Sequence, residues 1–303
     1  MTQRISSKWG VPAHITGLFQ IVQHDDPLRM GSKGAGFSLS YNSITTVTID
    51  SSSEMKPKVF YNNREIDGKV SLAVVENFQE ELGNFSLTIE HINDFPMQAG
   101  YGTSGAGAIG TAFALNELLN TNKTHQELGQ IAHKAEVSCK TGLGDVIAQM
   151  HSSAEIRLEP GAPGIGKIKK LDWPLDQMIL TATLGTLSTK EIITSPEMIE
   201  KINHYSTKLL AELELKATLE EFLRVSYEFA NNTSLLSGKL KELVDYLKNE
   251  GYSTSMIMLG QSLFVVDKLE DLVECKKIIN NFNTDAKTWI SALSNTGPTK
   301  LDF

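Results

Sequence analysis

The segment that most restricts fold and function runs from Pro96 to Gly110. It reads Pro-Met-Gln-Ala-Gly-Tyr-Gly-Thr-Ser-Gly-Ala-Gly-Ala-Ile-Gly, five glycines among fifteen residues, and leads into a helical pattern ending near Asn120. Glycines just ahead of a helix gather backbone N–H groups at its positive end, which is the physical requirement for holding a phosphate. Thr103 and Ser104 add hydroxyls able to reach a phosphate oxygen or a magnesium ion. The plain alternative is a tight turn that lets the helix pack closely. Gly100 to Gly105 spells G-x-G-x-x-G, a weak signal by itself. A dinucleotide fold would need a second parallel strand ending in an acid about 20 residues on. Here the next element is another helix, 124–140. No G-K-[ST] closes the segment, and neither H-R-D nor D-F-G occurs. The loop therefore fits none of the common nucleotide folds.

The rest of the chain narrows the partners. Its 303 residues suggest about two domains, and 41% hydrophobic with 21% charged residues excludes wholesale disorder. The formal net charge is -8, and only Arg4, Arg29, Arg64, Arg157 and Arg224 are arginines, which argues against nucleic-acid binding. Cys139 and Cys275 match no metal or redox spacing. The N-terminus lacks a signal-peptide apolar region and no stretch of 18 apolar residues occurs, so a soluble, cytoplasmic protein without a membrane partner is expected. Strands are predicted over 11–22, 37–49, 85–91 and 154–158, and helices over 69–82, 104–120 and 124–140, the last opened by a Thr124/Glu127 capping box. Pro and Gly crowd residues 159–175, where a domain seam is placed. Beyond it follow a strand at 178–184, helices at 195–213, 218–231 and 237–250, strands at 255–258 and 262–266, and a helix at 269–281. Strands and helices mixed in both halves indicate a two-domain α+β protein.

Pro96 to Ala108 resembles the central motif of the GHMP kinase superfamily, with Tyr101 for the usual Leu, Thr103 for the first Ser and Gly105 for the first Ala. Val11 to Gln20 is similar to that superfamily's first motif. The likeness tightens to the archaeal-type pantoate kinase family through Pro12–Gly17, Gly31–Gly36, Gly102–Ala108, Ala132–Val137, Gly142–Asp145, Gln149, Ile156–Arg157 and Pro160–Gly164. The C-terminal half resembles it only loosely. The resemblance implies the two-domain GHMP kinase fold. Residues 1–165 would form an N-terminal domain like the second domain of ribosomal protein S5, and 176–303 a smaller α+β domain. It implies ATP-dependent phosphorylation of the 4-hydroxyl of pantoate on the way to coenzyme A, with ATP and Mg2+. The partners would be small molecules, with a homodimer as one option. A GHMP kinase for another small hydroxy acid, such as mevalonate or homoserine, is the rival. A non-catalytic nucleotide-binding regulator of the same fold is the rival of another class.

The resemblance also distributes roles. Gly100, Gly102, Thr103, Ser104, Gly105 and Ala106 would bind ATP phosphates, and Ser104 and Glu136 would ligate the metal. Asp145 would accept or orient the substrate hydroxyl proton; on propensity alone it would N-cap a helix at 146–150. His14 stands where many relatives carry Lys, which leaves open whether Asp145 has a cation beside it. Arg157 and His133 are expected to recognise the substrate carboxylate, with Ser32 and Lys33 supplying donors from a flexible Gly31–Gly36 loop. Gly260 and Gln261 are the remnant of a third, normally Gly-rich motif. A Gly pair is expected before the Arg157 strand, where Met150-His-Ser-Ser-Ala154 stands instead.

Overall fold

Two long strands organise the first half: β1 (Arg4–Val22) and β2 (Gly31–Asp50) pair antiparallel over nearly their whole length. The computed structural model describes residues 4–50, 56–82 and 86–303. Both strands outrun the stretches marked by their β-branched residues, and β2 takes in the Gly31–Gly36 run expected to be a loop. Glycine is poor strand material, so this run needs another reason, which the site supplies. The hairpin β3 (Lys58–Tyr61) and β4 (Arg64–Ile66) joins the sheet through β5 (Ser86–Ile92), which pairs with the far half of β2. Phe85, placed in that strand from its sequence, lies outside the described residues.

The helix predicted over 69–82 is broken into α1 (Lys69–Val75), a 3-10 turn and α2 (Gln79–Leu82). The next two match their pattern closely: α3 (Thr103–Leu119) and α4 (His125–Cys139). Thr124 caps α4 as its sequence predicts, with its N–H donating to Glu127 Oε2 at 2.8 Å and its Oγ1 accepting from the Glu127 N–H at 3.3 Å. A short α5 (Asp145–His151) precedes β6 (Ala154–Glu159), which pairs with the near half of β2, and β7 (Lys167–Lys170) extends β6. Helices α1, α3 and α4 enclose one apolar core with β1, β2 and β5, centred on Val47, Ile89, Ile109 and Phe113.

In the second half, β8 (Met178–Gly185) is followed by α6 (Thr189–Thr194), α7 (Pro196–Leu215), α8 (Leu219–Asn232) and α9 (Gly238–Asn249). Then come β9 (Thr254–Ile257), β10 (Gln261–Asp267), α10 (Leu269–Phe282), β11 (Lys287–Ser291) and β12 (Thr299–Lys300). A second sheet has the order β11-β8-β10-β9, while β12 returns to pair with β1. The two halves share a core: Phe37 of β2 packs edge-on against Phe222 of α8 and Phe264 of β10, with ring centroids 5.9 and 5.3 Å apart. No helix among the described residues is long and apolar enough to cross a membrane.

Candidate active site

A cavity of about 850 Å³ opens where the start of α3, the start of α5, the near half of β2 and the loops of the second sheet converge. Gly100, Gly102, Thr103 and Ser104 line it, with Ser32, Asp145 and Arg157. Gly100 and Gly102 hold φ of 90° and 64°, a left-handed backbone that favours glycine. Gly102 is the N-cap of α3 and contributes no side-chain cap, so the first-turn N–H groups of Thr103, Ser104 and Gly105 have no helical acceptor. Ala106 differs from its expected phosphate role: its N–H is already bonded to the Gly102 carbonyl at 3.0 Å and its side chain is fully buried. Gly105 lies behind the cavity wall, where a Cβ would stand 2.8 Å from Gln149 Oε1. Its smallness lets α3 approach α5.

Tertiary contacts hold this loop in place. Tyr101, in the superfamily's Leu position, stacks on Phe95 with centroids 4.0 Å apart. Its hydroxyl lies 2.9 Å from Thr183 Oγ1, itself 2.9 Å from Ser262 Oγ, which ties the loop to the second sheet. Gln149 donates from Nε2 to the carbonyls of Pro12 and Gly102 at 2.9 and 3.0 Å. Gly260 sits against the loop from below, and a Cβ there would lie 2.8 Å from the Gly100 nitrogen. Gly260 thus supports the loop rather than lining the cavity, and Gln261 pairs with Gly185 on the second sheet.

Asp145 is the first residue of α5, and the N-cap is Gly144, which corrects the reading of Asp145 as the cap. Its side chain is 27% exposed at the cavity wall. His14 is completely buried, with Nδ1 3.1 Å from Asp145 Oδ1 and Nε2 2.9 Å from Glu155 Oε1. A register shift in β1 between Pro12 and His14 aims the imidazole at this point. Burial works to lower the His14 pKa, but the two carboxylates together hold it above its ordinary value. The residue that stands beside Asp145 in the place of the usual Lys is therefore His14, with a second acid on its far side.

Arg157 lies on the next inward position of β6 after Glu155 and is 2% exposed. Its Nη1 donates to Glu155 Oε1 at 2.6 Å and its Nη2 to Thr16 Oγ1 at 3.3 Å. Its Nε has no partner. A Cβ at Gly144 would stand 2.9 Å from that Nε and against Ser32 Oγ, so the guanidinium edge and the serine hydroxyl meet beside Gly144. Arg157 and Ser32 both line the cavity, with Nε itself enclosed beside Gly144. The turn before β6 keeps a glycine-like backbone without glycine, since Ser152 and Ser153 adopt φ of 59° and 77°.

Two expected carboxylate contacts are corrected. His133 is 1% exposed, and its Nε2 is 2.9 Å from the Met30 carbonyl. Burial lowers its pKa, so it stays neutral and braces the turn ahead of Ser32 instead of lining the cavity. Lys33 points away from the cavity that its strand neighbour Ser32 lines, as adjacent strand residues do. The flexible loop expected at 31–36 is strand β2.

Glu136 lies just behind the wall and is 2% exposed. Its Oε1 accepts from Thr141 Oγ1 at 2.8 Å, while Oε2 has no partner. A Cβ at Gly142 would press on that Oε2 and lie 3.3 Å from Asp145 Oδ2, so two acids border one small space. Burial first, and the Asp145 charge second, push the Glu136 pKa up to about 7; hydrogen bonds from Thr141 and Ser104 act against this. An unpaired buried carboxylate oxygen beside a serine hydroxyl and a phosphate-type loop suits a hard cation that completes its shell with phosphate and water.

Residues 69–153 match the profile of the GHMP kinases N terminal domain. The chain is 38% identical over 275 residues to the pantoate kinase of Methanocaldococcus jannaschii, covering 89% of this chain and 96% of that one. It is 34% identical over 281 residues to the pantoate kinase of Thermococcus kodakarensis, covering 90% and 91%. A solved structure described as a phosphotransferase related to the CoA biosynthesis pathway superposes with a TM-score of 0.87 at 30% identity, over 98% of both chains. With this similarity along most of its length, the chain belongs to the pantoate kinase family of GHMP kinases.

Proposed function

We propose that this protein transfers the γ-phosphoryl group of ATP to the 4-hydroxyl of pantoate. The observation that carries the reading is the continuous chain Asp145–His14–Glu155–Arg157, buried but for Asp145 at the cavity wall. Asp145 and Arg157 line one cavity with the Gly100–Ser104 loop, which supports reading the first as the hydroxyl-orienting carboxylate and the second as the carboxylate-binding cation. The free N–H groups at the start of α3 receive the ATP phosphates. Arg157 and Ser32, which line the cavity, receive the pantoate carboxylate, which leaves its hydroxyl end for Asp145. The hydroxyl oxygen bonds to the γ-phosphorus as the bond to the ADP oxygen breaks, and Asp145 orients the hydroxyl and accepts its proton. Ser104 and Glu136 would hold Mg2+, whose chemistry is to neutralise charge on the transferring phosphates. We place the reaction in the cytoplasm.

The test is ADP release with ATP and magnesium against a panel of pantoate, mevalonate and homoserine. Turnover is expected with pantoate. Clear turnover of another panel member with none of pantoate would overturn the substrate assignment. Tight ATP binding without turnover of any hydroxy acid would point to the regulatory alternative.

A further inference from the structure

Glu155 does not line the cavity, yet it is where the two cationic side chains of the site meet. It is wholly buried, and its single oxygen Oε1 accepts from both His14 Nε2 and Arg157 Nη1. The other oxygen, Oε2, has no partner. Buried carboxylates are seldom left so poorly satisfied unless neighbouring charges hold them ionised.

The backbone makes room for this meeting. In the β2–β6 register Glu155 faces Gly36 and Arg157 faces Gly34. A Cβ at Gly36 would lie 2.7 Å from His14 Nε2, and one at Gly34 would lie 2.5 Å from Arg157 Nη2. Two glycines in mid-sheet thus leave a channel through which the imidazole from β1 and the guanidinium from β6 reach one carboxylate. This accounts for Gly34 and Gly36 of the Gly31–Gly36 run.

Charge completes the argument. Among the described residues, the ionisable groups bonded to His14 are Asp145 from α5 and Glu155 from β6, with Arg157 behind Glu155. From β2 it meets the uncharged Gly36 and, in register, Ser38, and from the phosphate loop its backbone N–H meets the Tyr101 carbonyl. Both ring nitrogens face carboxylate oxygens. A neutral imidazole has one N–H and would set its other lone pair against an anion, whereas the imidazolium donates both ways. Two carboxylates then balance two cations in the low-dielectric wall.

We propose that Glu155 is a positioning residue that yokes the imidazolium of His14, behind the reacting Asp145, to Arg157 in the substrate-carboxylate site. The proposal rests on the function given above. Glu155 keeps His14 charged so that it holds Asp145 in one orientation, and through Nη1 it fixes the guanidinium at the cavity wall. Seating of the substrate carboxylate on Arg157 is thereby transmitted to the group that meets the hydroxyl.

The experiment is ring NMR of labelled histidine in the ligand-free protein, combined with kinetics of Glu155→Gln and Glu155→Asp. In the wild type the His14 ring is expected to remain protonated at pH 7. In Glu155→Gln burial is opposed by Asp145 alone, so its titration moves down by at least about one pH unit. The same variant should lower kcat and raise the pantoate KM, each by about tenfold or more, with the ATP KM unchanged. The alkaline limb of its kcat profile should move down with the His14 titration. Glu155→Asp keeps the charge and should restore the His14 titration and the alkaline limb, though not the full kcat. A folded Glu155→Gln enzyme with wild-type His14 titration and wild-type pantoate KM overturns the proposal. Where Glu155→Gln does not fold, the wild-type spectrum decides, and a neutral His14 at pH 7 overturns it. Because the histidine titration needs no substrate, it stays informative if pantoate is not turned over. Turnover of pantoate with a neutral His14 would sink this proposal alone.

Discussion

Glu136 carries a cost that depends on pH, and replacing it with Gln should reveal it. One carboxylate oxygen is held by Thr141 at 2.8 Å and the other is buried without a partner, beside Asp145. These surroundings move the Glu136 pKa from 4.5 in the unfolded chain up to about 7 in the folded one. The sign follows from proton counting. Between those values the folded chain keeps a proton that the unfolded chain releases, so stability falls as pH rises through the window and stays lower above it. At about 1.4 kcal/mol per pH unit the full loss is about 3 kcal/mol, or about 5 °C in Tm for a chain of this size. The assay is thermal unfolding of wild type and Glu136→Gln at about pH 5 and about pH 8, without nucleotide or metal. The variant lacks this titration, so it should gain on the wild type by most of that amount at the higher pH. Adding ATP and magnesium at pH 8 should raise the wild-type Tm more than the variant's, since a cation against Oε2 removes the penalty. Equal pH slopes in the two proteins would refute the reasoning.

Four further outcomes are expected. Asp145→Asn should keep the ATP KM and lower kcat by at least about 100-fold, the scale of acid–base contributions; near-wild-type turnover would remove Asp145 from the mechanism. Arg157→Lys should mainly raise the pantoate KM, because a point charge lacks the guanidinium fork, and an unchanged KM would exclude that contact. Gly36→Ala forces a methyl group against His14 Nε2 and the Ile15 carbonyl. It should cost about 1–3 kcal/mol in a urea titration and lower kcat as well, whereas a wild-type midpoint and rate would show that the channel has slack. Thr124→Ala removes the capping box of α4 and should cost about 1 kcal/mol in the same titration with kcat intact; an unmoved midpoint would mean that the cap carries no net stability.

Legibility in the sequence followed the range of the interactions involved. Helices α3 and α4 could be read to within a residue or so because capping and periodicity act over a few positions. The short strands β3, β4, β7, β11 and β12 had no comparable signal, being two to five residues long and dependent on a partner strand. The Gly31–Gly36 run was misread as loop because its glycines serve side chains from two other strands. His133 and Glu136 lie one turn apart on α4, yet the first supports the Met30 carbonyl while the second faces Gly142 and the cavity wall. Spacing of three places two residues on one face without saying what each meets. Glu155 escaped notice altogether. An acid two residues before an arginine on a strand has no chemical signature until both are buried on the same side.

What the sequence determined by itself is the Gly100–Ser104 turn into α3: glycines at positive φ and a helix N-terminus follow from local chain chemistry wherever the segment is packed. What only the tertiary structure decided is the charge state of the groups around it. His14 lies 131 residues from Asp145 and 141 from Glu155. Folding brings both acids against its buried ring and raises its pKa, and no reading along the chain contains that distance.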